Sequence, residues 1–250
     1  MNLRIPILRY HSINDHINLS LSVRIDSFVK QMDYLYHKGF NVITLDEAFL
    51  LWKKKLKVVK PLVITFDDGY RDIYVNALPI LRKYNFKATV FLTTNSIGSS
   101  KLKTDVGNIP IPCLSWDEIK EMQNYDISFG SHTLSHPFLT KMSEENMKKE
   151  IKEPKKIIEE KLGIKVITFS YPFGDFNERV KNVVRSSGYL IACAEHLSRR
   201  QKEDILSLQR ITISRIDTMY TFKIKLSKLY KWVLAERISN LLRRRFRKYT

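Results

Sequence analysis

A distorted (β/α) barrel with about seven parallel strands, extended by a basic amphipathic helical segment at the carboxyl end, is the fold class this sequence predicts. Three observations predict it. Short apolar, β-branched runs alternate with helical patterns along the chain, which implies βα units around a parallel sheet. The runs are continuous rather than alternating in polarity, as strands buried on both faces are. Their number, seven or eight before residue 215, suits closure into a barrel, with a doubly wound open sheet as the other arrangement of the same units.

The strand runs lie at 5–10, 41–44, 62–66, 88–92, 127–130, 166–169, 189–193 and 208–213. A helix over 26–38 carries Phe28, Met32 and Leu35 at helical spacing and stops at Gly39, a good residue for a helix end. Ser115 with Glu118 three residues on is a capping box that opens a helix to about residue 124. Ser143 opens another that closes at Gly163, and Pro154 is expected to kink or break it midway. Asn177 caps a helix ended by Gly188.

Composition bounds the rest. With 250 residues and 44% of them hydrophobic, the chain can bury a core without disulfides. Cys113 and Cys193 form no CxxC pair and read as small buried residues. No run approaches 18 apolar residues, so a transmembrane helix is not expected. The amino terminus lacks the apolar core of a secretory signal, and a cytoplasmic location is expected from it.

The net charge is +17, and its placement matters more than its sum. Residues 218–250 hold ten Lys and Arg against Glu236 alone, more than half of the excess. The chain therefore divides into a catalytic domain over 1–217 and a basic tail over 218–250. In the tail Phe222, Leu226, Leu229, Trp232 and Val233, then Ile238, Leu241, Leu242 and Phe246, recur at helical spacing, with Arg243, Arg244 and Arg245 among them. That pattern fits an amphipathic helix on an anionic membrane surface, or a helix packed on the barrel with a solvated basic face. No recognised nucleic-acid-binding fold accompanies the charge, so nucleic acid is not an expected partner.

Candidate chemistry collects at strand ends. The run Leu62–Phe66 leads straight into Asp67, Asp68 and Gly69. Asp-Asp-Gly is good turn chemistry, yet two adjacent buried carboxylates repel each other and call for a cation nearby. His132 and His136, four residues apart, follow another run and can aim both imidazoles at one point. An isolated pair of this spacing is commonly coincidence. Together with an acid at another strand end of the same barrel face, it makes a two-histidine, one-carboxylate site of the kind catalytic zinc occupies. A third strand ends in Tyr171-Pro172-Phe173-Gly174, a stiff turn suited either to walling a groove or simply to linking strand and helix. His11 ends the first strand.

Thr65 to Gly69, Ser131 to His136 and Tyr171 to Gly174 together resemble the polysaccharide deacetylase family, the NodB-homology or carbohydrate esterase family 4 domain. Tyr10-His11-Ser12-Ile13 resembles its poly-N-acetylglucosamine deacetylase subgroup, and the likeness spans residues 4–215. The resemblance implies a hydrolase that removes N-acetyl groups from an N-acetylhexosamine glycan or glycan precursor; the lack of a secretory signal and the basic tail favour a lipid- or nucleotide-linked precursor at the inner membrane face. It implies Asp67 as general base, Asp68, His132 and His136 as ligands of a divalent metal (zinc), and Tyr171, Pro172, Phe173 and Gly174 as groove lining, with the Tyr171 amide as an oxyanion donor. Two motifs depart from the common pattern: the usual Arg before the third motif is replaced around Phe169-Ser170, and the late Leu-x-x-His is missing. The subgroup likeness implies His11 as acid and Arg210 as the residue steering Asp67 in their place. A non-catalytic glycan-binding relative or another metal-dependent amidase on the same barrel are the alternative readings.

Overall fold

The computed structural model describes residues 5–17, 19–99, 111–195 and 204–227. These fall into two compact units, one ending at Arg215 and one beginning at Ile216.

In the first unit the strands are β1 (Ile7–Tyr10), β2 (Ser12–Ile13), β3 (Ser22–Val23), β4 (Asn41–Ile43), β5 (Pro61–Phe66), β6 (Ala88–Leu92), β7 (Ile127–Ser131), β8 (Thr168–Ser170), β9 (Ile191–Ala194), β10 (Leu208–Gln209) and β11 (Ile211–Thr212). Nine of them form one parallel sheet in the order β10-β9-β8-β7-β6-β5-β1-β11, with β4 added on β5; β2 and β3 pair separately. The two ends of that path are consecutive in the chain, separated only by Arg210. Leu208 pairs with Cys193 on one side and Ile211 with Leu8 on the other, so the chain itself joins the sheet ends. The fold is a distorted (β/α) barrel, and the run expected over 208–213 is divided at Arg210 between two neighbours.

Among the described residues, six α-helices flank this sheet: α1 (Ile25–His37), α2 (Leu45–Lys53), α3 (Leu78–Lys83), α4 (Trp116–Gln123), α5 (Glu144–Leu162) and α6 (Glu178–Ser186). Their starts are chemically set. Thr44 and Ser115 make reciprocal capping boxes with Glu47 and Glu118, and Ser143 and Asn177 accept from amides in their first turns. α1 buries Phe28, Met32 and Leu35 completely, at about 1.5–3 kcal/mol for each such side chain withdrawn from water. Phe28 meets Tyr10 edge-on at 5.2 Å, and the Tyr10 hydroxyl donates to Gln31 at 2.8 Å, which ties α1 to the first strand.

Pro154 does not break its helix: α5 runs unbroken from Glu144 to Leu162. The lost amide bond is outweighed because Pro154 lies on the buried face with Met147, Ile151 and Ile158, where packing decides more than propensity. Cys113 and Cys193 are free and buried.

The second unit contains α7 (Met219–Leu226), capped by Thr218 and burying Phe222; Asp217 pairs with Lys225 at 2.6 Å. The expected helical stripe from Leu229 through Trp232, Val233, Ile238, Leu241 and Leu242 to Phe246, with Arg243 to Arg245, lies outside the described residues. No described helix is long and apolar enough to cross a membrane.

Candidate active site

Because all strands run parallel, their carboxyl ends share one face, and strand register decides which side chains meet there. Tyr10 pairs with Phe66, and the Asp67 amide donates to the Tyr10 carbonyl at 3.0 Å, so His11 and Asp67 leave adjacent strands at one level. The His132 amide donates to the Leu92 carbonyl at 2.9 Å and begins the turn after β7. Ser170 ends β8, and Arg210 enters from the junction of β10 and β11.

Arg210 grips Asp67 with both ends of its fork: Nη1 reaches Oδ1 at 2.7 Å and Nη2 reaches Oδ2 at 2.6 Å. The same guanidinium donates to Thr65 Oγ1 at 3.2 Å and Ser170 Oγ at 2.9 Å. Both partners are buried. Burial alone would push the Asp67 carboxyl up, but the Arg210 charge, then His132, outweigh it and hold the acid far below the usual carboxylate range. Ser170, in the neighbourhood where the family pattern has an arginine, here receives Arg210 from the far end of the chain.

Asp68 goes to different partners. Its backbone sits at φ 74, past the strand, and Oδ1 lies 3.5 Å from His132 Nε2 and 3.4 Å from His136 Nε2. The three residues offer ligand atoms all within 4.8 Å of one another. His132 Nδ1 is 2.7 Å from the Ser170 carbonyl, which can only accept, so the ring proton is on Nδ1 and Nε2 presents a lone pair. Burial pushes His132 down to about 3, so it is neutral at pH 7 and its approach to Asp68 is not an ion pair. Asp68 Oδ1 is buried with no hydrogen-bond partner, and burial pushes this carboxyl up.

The Asp68 oxygen and the His132 Nε2 lone pair thus face the same gap, with His136 Nε2 beside them. Tetrahedral donors at about 2.1 Å from a zinc ion stand about 3.4 Å apart, which is the spacing of Asp68 to either histidine. The residues fit a divalent cation.

The turn carrying the histidines is held from behind. Thr133 and His136 both take left-handed backbone, φ 69 and φ 59, and the His136 amide donates to Thr133 Oγ1 at 3.0 Å. Glu150 of α5 accepts the amides of Leu134 and Ser135, each at 3.0 Å, and the Ser135 hydroxyl at 2.6 Å. Sequence reasoning missed Glu150. A signal was present: Met147, Glu150, Ile151, Pro154 and Ile158 share one helical face, so the acid interrupts an apolar stripe. Arg9 was missed as well; it is buried, 2.6 Å from Glu195 and 2.8 Å from Thr212 Oγ1.

His11 is buried, with Nδ1 lacking a partner. Burial, then the nearby Arg9 charge, push it down to about 3, so the resting imidazole is neutral.

The third motif needs correction. Tyr171 and Pro172 are buried rather than lining a groove. The Tyr171 ring stacks on Phe176 at 4.8 Å and its hydroxyl donates to the Leu206 carbonyl at 2.9 Å. Its amide donates to the Cys193 carbonyl at 3.1 Å and so is already committed, not free to hold an oxyanion. Phe173 and Gly174 are half-buried, and Phe173 packs edge-on against His136 at 4.4 Å.

The chain matches the polysaccharide deacetylase family over residues 54–192. It is 32% identical over 213 residues to YxkH of Bacillus subtilis, a candidate polysaccharide deacetylase, covering 84% of this chain and 72% of that protein. It is 31% identical over 177 residues to the poly-beta-1,6-N-acetyl-D-glucosamine N-deacetylase of Staphylococcus aureus, covering 67% of this chain and 59% of that enzyme's length. The Streptococcus pyogenes deacetylase PplD, solved in complex with acetate, superposes with a TM-score of 0.71 at 27% identity, over 85% of this chain and 93% of that one.

Proposed function

This chain belongs to the polysaccharide deacetylase family and is a hydrolase of carbon–nitrogen bonds; from that premise we propose that it removes N-acetyl groups from an N-acetylhexosamine-containing glycan or glycan precursor with the help of a divalent cation, zinc. One observation carries the reading: Asp68, His132 and His136 bring ligand atoms within 4.8 Å of one another, with Asp68 Oδ1 lacking a hydrogen-bond partner, beside a second carboxylate that Arg210 keeps ionised.

An N-acetyl amide resists hydrolysis because its carbonyl is weakly electrophilic and its amine leaves badly. Asp68, His132 and His136 would hold the cation, with the Ser170 carbonyl fixing the His132 tautomer and Glu150 fixing the turn. When bound, such a cation supplies Lewis-acid polarisation of the carbonyl and acidifies water towards a pKa of about 7. Asp67, the neighbouring acid, accepts the proton as water attacks. The Arg210 fork gives Asp67 a fixed direction, at the cost of basicity; a weak base suffices once the water is acidified.

His11 is neutral at rest, so it can act as acid only after taking up a proton. In this reading the proton that Asp67 accepts passes to the adjacent His11 imidazole and then to the departing nitrogen as the carbon–nitrogen bond breaks. Acetate and a free amino sugar result, with oxygen from water on the acetate and its protons accounted for on amine and carboxyl.

Acetate release across a panel of N-acetylated oligosaccharides and lipid- or nucleotide-linked N-acetyl sugars, with and without chelator, tests the proposal. Asp67→Asn is expected to keep its metal and lose turnover by at least about 10²-fold, the usual scale of a general base, whereas His132→Ala loses the metal. A fully active Asp67→Asn protein would overturn the assignment.

A further inference from the structure

A row of side chains leads away from the converging donors. His136 meets Phe173 with centroids 4.4 Å apart. Phe173 stacks on Phe138 at 4.1 Å and 13°, and Lys141 Nζ lies 4.5 Å from the Phe138 ring centroid. Phe138 stays 43% exposed although it is a large apolar ring. Phe173 reaches its place only by adopting φ 57, a left-handed backbone that a bulky residue rarely takes. An exposed aromatic step set on a strained turn beside a reactive centre is not accounted for by packing.

The outer end of the row is cationic. Arg179 Nη2 donates to the carbonyls of Thr140 and Met142, each at 3.1 Å, and so brackets Lys141. Three acids close in sequence have partners of their own: Asp175 accepts the amide and hydroxyl of Thr140, Glu144 pairs with Lys148 while also feeling the Arg179 charge, and Glu178 pairs with Lys181. Among the described residues, neither Lys141 nor Arg179 has a carboxylate at ion-pair distance.

We propose that Phe138, Phe173, Lys141 and Arg179 form an outer subsite that reads the glycan unit next to the one losing its acetyl group, and that this unit is anionic. The inference rests on the deacetylase reading and adds the class of glycan. Lys141 sits on a flexible four-carbon stem. It can leave the ring for a carboxylate or phosphate on the sugar, while the face it uncovers takes the apolar C–H face of the pyranose. A glycan already carrying free amines would be repelled by the two cations, whereas an acidic one is drawn in, in the same sense as the chain's net charge of +17.

The test compares N-acetylated tetrasaccharides that are neutral, that carry uronic acid carboxylates, or that carry phosphate, using the full chain loaded with zinc. The wild type is expected to prefer an acidic substrate by about tenfold or more in kcat/KM, and the arm that gains most separates carboxylate from phosphate. Lys141→Gln is expected to abolish that preference through KM, and Lys141→Arg to restore it. Phe138→Ala is expected to lower the ratio of tetrasaccharide to monosaccharide kcat/KM, and Phe138→Trp to keep it. Ratios equal to those of the wild type in Lys141→Gln and Phe138→Ala would overturn the subsite. Failure of the wild type to release acetate from any substrate would instead refute the deacetylase reading. Calorimetric binding of the acidic tetrasaccharide to wild type and Lys141→Gln still decides the subsite in that event, equal affinities refuting it.

Discussion

Replacing Glu150 with alanine removes a carboxylate that touches no proposed ligand yet fixes the turn between two of them. Its oxygens accept from Leu134 N, Ser135 N and Ser135 Oγ at 3.0, 3.0 and 2.6 Å. Two amides lose a buried acceptor at about 1–3 kcal/mol each, part of which water in the new space returns, so a stability loss of about 3 kcal/mol is expected. The sharper effect falls on the donors. Thr133 and His136 hold left-handed φ of 69° and 59°, conformations that cost of order 1 kcal/mol or more and persist only when neighbours enforce them. Once the turn relaxes, His136 Nε2 no longer keeps its 3.4 Å approach to Asp68. Loss of a supporting hydrogen bond of this kind weakens metal binding about 10–100-fold, or about 1.4–2.7 kcal/mol. Zinc competition against a chromophoric chelator, with circular dichroism to verify folding, measures it. In Glu150→Gln the amide oxygen can still accept both backbone N–H groups, so most of the affinity is expected to return. Folded Glu150→Ala protein that binds zinc as tightly as the wild type, or equal weakening by Gln and Ala, would refute the reasoning.

Two further outcomes follow from buried groups. His11 and His132 are each pushed by burial from 6.5 down to about 3, so between those pH values the unfolded chain binds two protons that the folded chain excludes. Stability of the metal-free protein is therefore full above pH 6.5 and is lost as the pH falls towards 3, by about 2 kcal/mol per histidine between pH 7.5 and 5; urea midpoints at those two pH values check it, and a flat midpoint contradicts it. Gly130 in β7 has no room for a side chain, since a Cβ there would stand 2.3 Å from Thr168 Oγ1 and 2.7 Å from the Phe91 ring. Gly130→Ala is expected to destabilise by about 1–3 kcal/mol, read as a fall of several degrees in Tm, and an unshifted melting curve would count against the tight β6–β7–β8 contact.

What could be seen in advance was whatever local chemistry dictates. Capping boxes at Ser115 and helix ends at Gly39 and Gly163 depend on neighbours a few residues away, and they stand where the pattern put them. Continuous apolar runs gave the parallel sheet for the same reason. Tyr171 was misread because β8 is three residues long and too short to show which way alternate side chains point; the tyrosine continues the ladder through Cys193 and turns inward. Pro154 obeyed packing over propensity. The division of the last strand run at Arg210 had a visible trace, a guanidinium inside an apolar run, but its destination depended on a partner 143 residues away.

That separation explains how two adjacent acids can share one buried strand end. Asp67 is 1% exposed, and an isolated carboxylate there would protonate rather than stay charged. Its compensating charge comes from the one residue between β10 and β11, the two strands that bring the ends of the sheet together. Asp67 is therefore ionised and aimed only when the barrel has closed, since docking β11 on β1 and β10 on β9 is what carries the guanidinium in. Asp68 cannot be served the same way, because the fork of Arg210 is filled by Asp67, Thr65 and Ser170. Its Oδ1 is left facing the Nε2 atoms of His132 and His136, at 3.5 and 3.4 Å. One acid is paired by the fold and the other is left without a counter-charge from Arg210, the asymmetry that the proposed mechanism needs if neighbouring carboxylates are to serve as base and as metal ligand.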